Sequence, residues 1–360
     1  METQKADRSS AHAPTILVYG AAGHTGRFVV EQVQRRGWTA VLSGRDELQL
    51  RALSERLGGA PVRVASIEDA RSLDRAVAGV SAVINCAGPF LDTSAGVIEA
   101  CLRACVHYLD VAAEQPTALA VFETYGARAR NAGVVLMPAV AFYGGLSDLL
   151  ATLAMGDWPE ADAIEIANML DSWRPTLGTR RTGARNTARR LTFADGRLEP
   201  LADPAPTGVW RFPEPVGVQD VVAVHLTEIV TISRHLKTSN VRAWMNLAPL
   251  ADLADSDTPS PVPADDSGRS AQTFLVEAVV RRGDQTRRAS ARGRDIYAVT
   301  APLVVEAASR ILAGEGPGPG ARTAGESFDA QAFLSALAPE FLIYETGSAE
   351  VPCRSTHSPL

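Results

Sequence analysis

The chain has 360 residues but only two lysines, Lys5 and Lys237, so nearly all its positive charge is arginine. A mechanism that needs a lysine has one candidate, because Lys5 stands in a polar stretch. Cysteine is scarce as well: four in the whole chain exclude a disulfide scaffold, and their spacing matches no zinc site. No apolar run reaches the roughly 18 residues of a transmembrane helix. The opening METQKADRSSAHAP has no apolar signal core. Nor is there a positive excess to attract nucleic acid or an acidic membrane face, since Lys+Arg 35 against Asp+Glu 41 leaves −6. A cytoplasmic, metal-free protein without nucleic-acid or membrane partners is expected. Its length suits two domains.

What the chain does contain is an alternation. Thr15–Tyr19 (TILVY) is a run of strand formers closed by Gly20, and residues 25–36 follow with helical periodicity through Phe28, Val29 and Val33. The unit repeats, with strands at 39–42, 62–64, 81–85, 106–111 and 134–137 and helices at 47–57, 67–77, 93–105 and 117–131. Asp46, with Gln49 three residues on, has the pattern of a capping box. Short strands alternating with helices predict an α/β fold, a Rossmann doubly wound parallel sheet, over residues 15–150. After 150 the rhythm breaks. A strand is expected at 163–170, an arginine-rich helix at 179–191 and a Pro/Gly/Asp loop at 194–215. Apolar segments at 221–232 and 241–247 precede a polar, mobile stretch at 251–270. A β-hairpin at 273–282 and 287–292 surrounds Gly283-Asp284-Gln285, and helices follow at 297–312 and 328–337. These predict a second α+β domain, the substrate or cover domain, over 151–292, with tails at 1–14 and 341–360.

Gly20-Ala-Ala-Gly23-His24-Thr25-Gly26 lies between the first strand and the first helix, the context that makes a glycine motif informative. Gly20 permits the tight turn, Gly23 lets the backbone approach a pyrophosphate, and Gly26 lets helix and strand pack closely. The backbone at His24 and Thr25 then opens a helix whose N-terminus faces the phosphates. At the end of the second strand stand Ser43-Gly44-Arg45, with Asp46 only after the turn. A carboxylate at that place would hold the ribose 2′-OH of NAD, whereas an arginine accommodates the 2′-phosphate of NADP. NADP(H) is expected ahead of NAD(H).

Together with Asn85-Cys86-Ala87-Gly88-Pro89-Phe90, these residues resemble the saccharopine dehydrogenase-like superfamily, and within it the bacterial saccharopine dehydrogenase NADP-binding and trans-acting enoyl reductase-like proteins. The resemblance covers most of 15–150 and returns at Gly293-Arg-Asp-Ile-Tyr297. It implies a Rossmann domain, a covering second domain, and a C-terminal segment, 293–340, packing back on the first. It also implies that Cys86, Ala87, Gly88 and Pro89 pass beside the nicotinamide. Two places depart from the family pattern. Tyr108-Leu-Asp110-Val-Ala-Ala113-Glu114 has alanine where the family often has glycine. Phe142-Tyr143-Gly-Gly-Leu146-Ser147-Asp148-Leu149 has Tyr143 for an aspartate and Leu146 for a proline.

For chemistry, none of the six tyrosines has a lysine four residues on, which removes the Tyr-x-x-x-Lys pair of short-chain dehydrogenases. Reduction still needs a proton donor or a group that stabilises developing charge. Tyr143, past the sixth strand, His235, whose natural pKa lies near neutrality, and Tyr108, at the fifth strand, are the catalytic candidates. Asp110 and Glu114 offer an anchor or a proton, with helix capping as the alternative for Asp110. Asp148 reads as a helix cap, Lys237 as solvated, and Cys101 and Cys105 as buried small apolar residues on one helix face. Arg174, Arg180, Arg181, Arg185, Arg189 and Arg190 crowd one segment. Such a stripe serves a substrate carboxylate, a carrier's phosphate or an acidic carrier protein, or is simply a solvated face.

The expected function is NADP(H)-dependent reduction of a C=C or C=N bond in a small organic substrate, one that bears a carboxylate or thioester. An amino-acid or imine dehydrogenase like saccharopine dehydrogenase and a non-catalytic NADP(H)-binding regulator are the alternatives. A homodimer is the base-rate assembly.

Overall fold

A computed structural model describes residues 13–350. Residues 1–12 and 351–360, most of the expected tails, lie outside the described residues. In the first domain, strands β1 (Thr15–Tyr19), β2 (Thr39–Gly44), β3 (Val62–Val64), β4 (Ala82–Asn85), β5 (His107–Asp110) and β6 (Val135–Met137) alternate with helices. Every neighbouring pair is parallel, with Ile16 opposite Ala40 on one side and Ala82 on the other. Both faces of such a sheet are covered, so the strands read as continuous apolar runs: Ile16, Leu17 and Val18 are all buried. The strand order places β1 between β4 and β2. The winding direction reverses there, which opens a crevice at the carboxyl ends of β1 and β4.

The second domain is a mixed sheet. Its strands are β7 (Ala161–Leu170), β8 (Leu191–Ala194), β9 (Arg197–Pro200), β10 (Thr207–Arg211), β11 (Val218–Val224), β12 (Thr238–Asn246), β13 (Thr273–Arg282) and β14 (Gln285–Arg294). β7 pairs with β12 in parallel and with β13 antiparallel. The hairpin turn is tighter than expected. Arg282 pairs with Gln285, so Gly283-Asp284 alone turn the chain, with Gly283 at φ +57°. The chain then returns. The helix Ile296–Leu312 packs on the first helix, His24–Arg35, and β15 (Gly320–Ala321) adds a parallel strand beside β6. One apolar core runs from Val18 and Leu42 through Phe142 and Leu149 to Ile164, Val276 and Val304, so the two domains share their interior.

Several expectations are corrected. The arginine-rich helix spans only Leu177–Arg185. Without a buried side chain on it, nothing apolar carries it further, and Arg189 lies beyond its end. The loop at 194–215 contains β9 and β10, while the apolar segment 221–232 divides into β11 and the helix Glu228–His235. The stretch 251–270 begins in the helix Leu247–Ala254 and is then pinned: Arg180 donates to the Asp255 and Thr258 carbonyls, and Arg294 pairs with Asp265. The expected C-terminal tail forms β16 (Leu342–Glu350), antiparallel to β14. Cys101 is buried, but Cys105 is exposed and ends its helix at φ +53°. Asp148 does not cap its own helix but accepts from the first turn of a distant one, Ala324–Ser327. It lies inside the helix Ser147–Met155, buried, bonded to His235 and to the Gly325 N–H.

Candidate functional site

The glycine turn is held by sterics that can be measured. Gly20 sits at φ +83°, and a Cβ there would lie 2.8 Å from the Ala87 nitrogen. On Gly26 a Cβ would lie 2.2 Å from the Gly20 carbonyl oxygen, an impossible contact with backbone. Gly23 has an ordinary φ of −68° and leads directly into the helix His24–Arg35. The Gly20 and Ala21 N–H groups both donate to the Ser43 carbonyl, at 2.8 and 3.2 Å, which joins the ends of β1 and β2. No acidic side chain occupies the first turn of the helix, so its N-terminal dipole is available to an anion.

These residues line a cleft of about 470 Å³ at the reversal between β1 and β4. Gly20, Gly23, Ser43, Arg45, Ala87, Gly88 and Pro89 are on its wall; His24, Thr25, Gly26 and Cys86 are not. Asp46 is committed to its helix, accepting the Gln49 N–H at 3.0 Å. Arg45 is exposed and makes no ion pair among the described residues. The cation therefore remains available at the end of β2, and the carboxylate is engaged.

Farther along the cleft, the turn after β4 is shaped from beneath. Asn85 accepts the Ala87 N–H at 3.0 Å, and the Thr93 hydroxyl donates to the Ala87 carbonyl at 2.6 Å. Tyr108 belongs to this support. Fully buried, its hydroxyl accepts from Asn85 and donates to Asp110 at 2.9 Å, so the fold gives it no open face toward a substrate. Asp110 also accepts the Ala112 and Ala139 N–H groups, and burial raises its pKa against these bonds. Glu114 holds the other side by accepting the Phe90 and Ala113 N–H groups at 3.0 and 3.1 Å. Burial pushes it up to about 7. Burial likewise raises the Cys86 thiol, which leaves it a poor nucleophile.

The second domain closes the cleft with the helix Leu177–Arg185. Arg181 lines it, Arg185 pairs with Asp92 at 2.9 Å, and a Cβ on Gly88 would lie 2.7 Å from the Thr182 hydroxyl. Tyr297, at the start of the returning helix, belongs to the segment that carries the resemblance but receives no site role from sequence. Its hydroxyl accepts from the Trp173 ring N–H at 3.0 Å and from Thr176 N at 3.3 Å, and lies 2.9 Å from the Thr179 hydroxyl. Its ring meets His24 edge to face at 5.3 Å, so the glycine turn, the cover and the C-terminal segment converge on one tyrosine.

The remaining catalytic candidates separate. Tyr143 is buried beside Phe142 and Trp173, with centroids at 4.8 and 5.6 Å, and its hydroxyl has no hydrogen-bond partner. His235 lies off the cleft, 2.7 Å from the buried Asp148 carboxylate. Burial works against its protonation and is the largest single influence, but the charge and hydrogen bond of Asp148, with the Glu326 charge, together outweigh it and raise the pKa. That pair joins helices within the second layer. Lys237 is bonded to Glu160 at the surface. Among the described residues, no group of three His, Cys, Asp or Glu is placed to hold a metal, and no helix is long and apolar enough to cross a membrane.

Residues 16–137 match the family model described as the saccharopine dehydrogenase NADP binding domain. The chain is 30% identical over 146 residues to the lipid droplet localized protein of Caenorhabditis elegans, a stretch covering 37% of this chain and 34% of that protein. It is 27% identical over 140 residues to a trans-acting enoyl reductase of Mycobacterium bovis, again 37% of this chain and 34% of the relative. The matches thus span about a third of the length of these curated relatives. The fold likeness reaches further. Apo saccharopine dehydrogenase (L-Glu forming) from Saccharomyces cerevisiae superposes with a TM-score of 0.67 over 93% of this chain and 100% of that one, at 12% identity.

Proposed function

We propose, from a first domain that belongs to the saccharopine dehydrogenase NADP binding domain family, that the chain is an NADP(H)-dependent oxidoreductase reducing a C=C or C=N bond of a small organic substrate. One observation carries the reading: the glycine turn, the unpaired Arg45 and the small-residue wall Ala87-Gly88-Pro89 line a single cleft, roofed by the second domain. The bare backbone at Gly20 and Gly23 fits a pyrophosphate, Arg45 fits a 2′-phosphate, and Ala87 and Gly88 leave room for a flat ring. When bound, the nicotinamide supplies the hydride. The chain's own residues do the rest. The helix N-terminus and Arg45 hold the phosphates, Asn85, Thr93 and Glu114 fix the ring-side turn, and the helix Leu177–Arg185 limits the entry of water.

The enoyl reductase among the relatives favours a C=C substrate, and the saccharopine dehydrogenase fold keeps C=N beside it. A regulator that binds NADP(H) without turnover is less well supported, because the covering domain brings its own buried titratable group, Glu228, to the domain junction. The test is a titration with NADPH and NADH of wild type and Gly23→Val, followed by dihydronicotinamide absorbance with enoyl and imine substrates. Gly23 has an ordinary φ and a Cβ there would lie 3.1 Å from the Gly20 carbonyl oxygen, a contact that a small backbone adjustment relieves, so the variant should fold yet lose dinucleotide binding, with a melting curve checking the fold. Failure of wild type to bind either nucleotide would sink the oxidoreductase reading.

A further inference from the structure

Beyond the cofactor cleft, four buried polar atoms without hydrogen-bond partners share one neighbourhood: the Tyr143 hydroxyl, Asn168 Oδ1, Thr227 Oγ1 and Glu228 Oε2. Buried polar groups are almost always satisfied, so a cluster of exceptions marks a place where something else binds. The four are tied together. Glu228 accepts from Asn168 Nδ2 at 3.3 Å and from the Gly144 N–H. A Cβ on Gly144 would lie 2.9 Å from Thr227 Oγ1, and the Tyr143 hydroxyl, its pKa raised first by burial and then by Tyr297, also feels the Glu228 charge.

None of the four residues is on the wall of the cofactor cleft, but two chains of contacts link the cluster to it. On one, Phe90, next to the cleft-lining Pro89, donates to Glu114, and the following Gln115 donates to the carbonyl of Leu226, which precedes Thr227. On the other, the Tyr143 ring meets Trp173, which is bonded to Tyr297, whose ring meets His24 of the phosphate turn. Residues 139–146 also leave the carboxyl end of β6, the edge where open α/β sheets bind ligands.

Charge decides what fits. No arginine or lysine bonds to any of the four residues among the described contacts. The nearby arginines are committed elsewhere or turned outward: Arg181 faces the cofactor cleft, Arg180 holds 255–258, Arg185 holds Asp92, and Arg174 is exposed. A substrate carboxylate buried against Glu228 would be unpaired, which is costly.

We propose that Tyr143, Asn168, Thr227 and Glu228 form the polar end of the substrate pocket, which takes an uncharged carbonyl or imine and meets it with the Glu228 carboxylic acid donating from Oε2. This deepens the oxidoreductase reading and rests on it. Burial pushes Glu228 up to about 7, so the acid form is well populated around neutrality.

The test uses cyclohexanone and cyclohexanecarboxylate as probes, titrated by ligand-observed NMR into the full chain with NADP⁺ present, after NADP⁺ itself has been titrated. The ketone is expected to bind saturably and the carboxylate about tenfold more weakly or worse. Glu228→Ala should weaken the ketone about tenfold, and Glu228→Gln, which keeps a donor in place, should restore most of it. If Glu228→Ala unfolds, Tyr143→Phe serves instead, with a loss of several-fold expected. NADP⁺ binding without saturable ketone binding, equal affinity for the two probes, or a ketone affinity indifferent to both positions overturns this proposal alone. Absence of NADP⁺ binding overturns the reading beneath it.

Discussion

Replacing Arg45 with alanine separates the two nicotinamide dinucleotides by a single group. The Arg45 side chain is exposed, lines the cleft at the end of β2, and pairs with no carboxylate among the described residues. Its removal therefore strands no buried partner, and fold stability should stay within about 0.5 kcal/mol. What is lost is one charge-assisted contact to the 2′-phosphate, about 1.5–3 kcal/mol in general. Solvent around the site puts the value at the lower end, about 1.5 kcal/mol, or roughly tenfold in Kd. NADH lacks that phosphate, so its Kd should not move. Fluorescence titration of both nucleotides on wild type and variant reads the difference directly. An equal loss for both would place Arg45 on a shared part of the nucleotide, and no loss for NADPH would remove the 2′-phosphate assignment altogether.

Gly26→Ala puts a methyl 2.2 Å from the Gly20 carbonyl oxygen, where only backbone movement relieves it. Thermal unfolding should show a loss of several kcal/mol together with the nucleotide site, and a near-native melting curve would contradict the packing described. Glu228 predicts a pH dependence. Below about pH 4.5 it is neutral folded and unfolded; between there and about 7 the unfolded chain ionises while the folded one keeps its proton. Stability should fall with rising pH across that window, by about 3 kcal/mol from this group, and level off above it. Chemical denaturation of wild type and Glu228→Gln at pH 5 and 7.5 checks this: a variant as pH-sensitive as wild type is the contrary outcome, with Glu114 as a second contributor of the same sign. Arg185→Ala breaks the cross-domain pair with Asp92, but both side chains are largely solvated. The melting temperature should therefore barely shift, and a large drop would show the roof helix to depend on that pair.

The alternating strands and helices of the first domain were legible because each is decided within a few residues: β1 by its apolar run, the helix Glu47–Arg56 by the Asp46–Gln49 cap. The second domain was less so. β8 and β9 are short and half-buried, β10 is exposed except for Trp210, and Pro, Gly and Asp separate them, so they carry no period long enough to read. β16 exists because β14 offers it an edge, a fact invisible in Leu342–Glu350 itself. Cys105 looked like a second apolar position beside Cys101, but the helix ends there and turns it outward. Asp148 is a cap, but of the helix Ala324–Ser327 rather than its own, and its other partner, His235, is also distant in the chain.

The nucleotide site follows the same division. Gly20, Gly23, Gly26 and Arg45 could be nominated from sequence because the roles proposed for them come from backbone freedom and charge at fixed offsets from β1 and β2, constraints that act locally. Tyr297, Arg181 and the Tyr143–Asn168–Thr227–Glu228 cluster come from separate parts of the chain, and only folding brings them together. Their properties are those of burial and neighbours: Glu228 is an ordinary carboxylate in the unfolded chain and gains its raised pKa from the removal of water. Tyr108, a reasonable proton donor by residue type, becomes a buried strut because Asn85 and Asp110 close over its hydroxyl. Sequence alone determined the glycine turn at which a dinucleotide is proposed to lie, since a turn's geometry is written in its own residues. Which side chains face the substrate was decided by the tertiary structure, because desolvation and contact are properties of the surroundings.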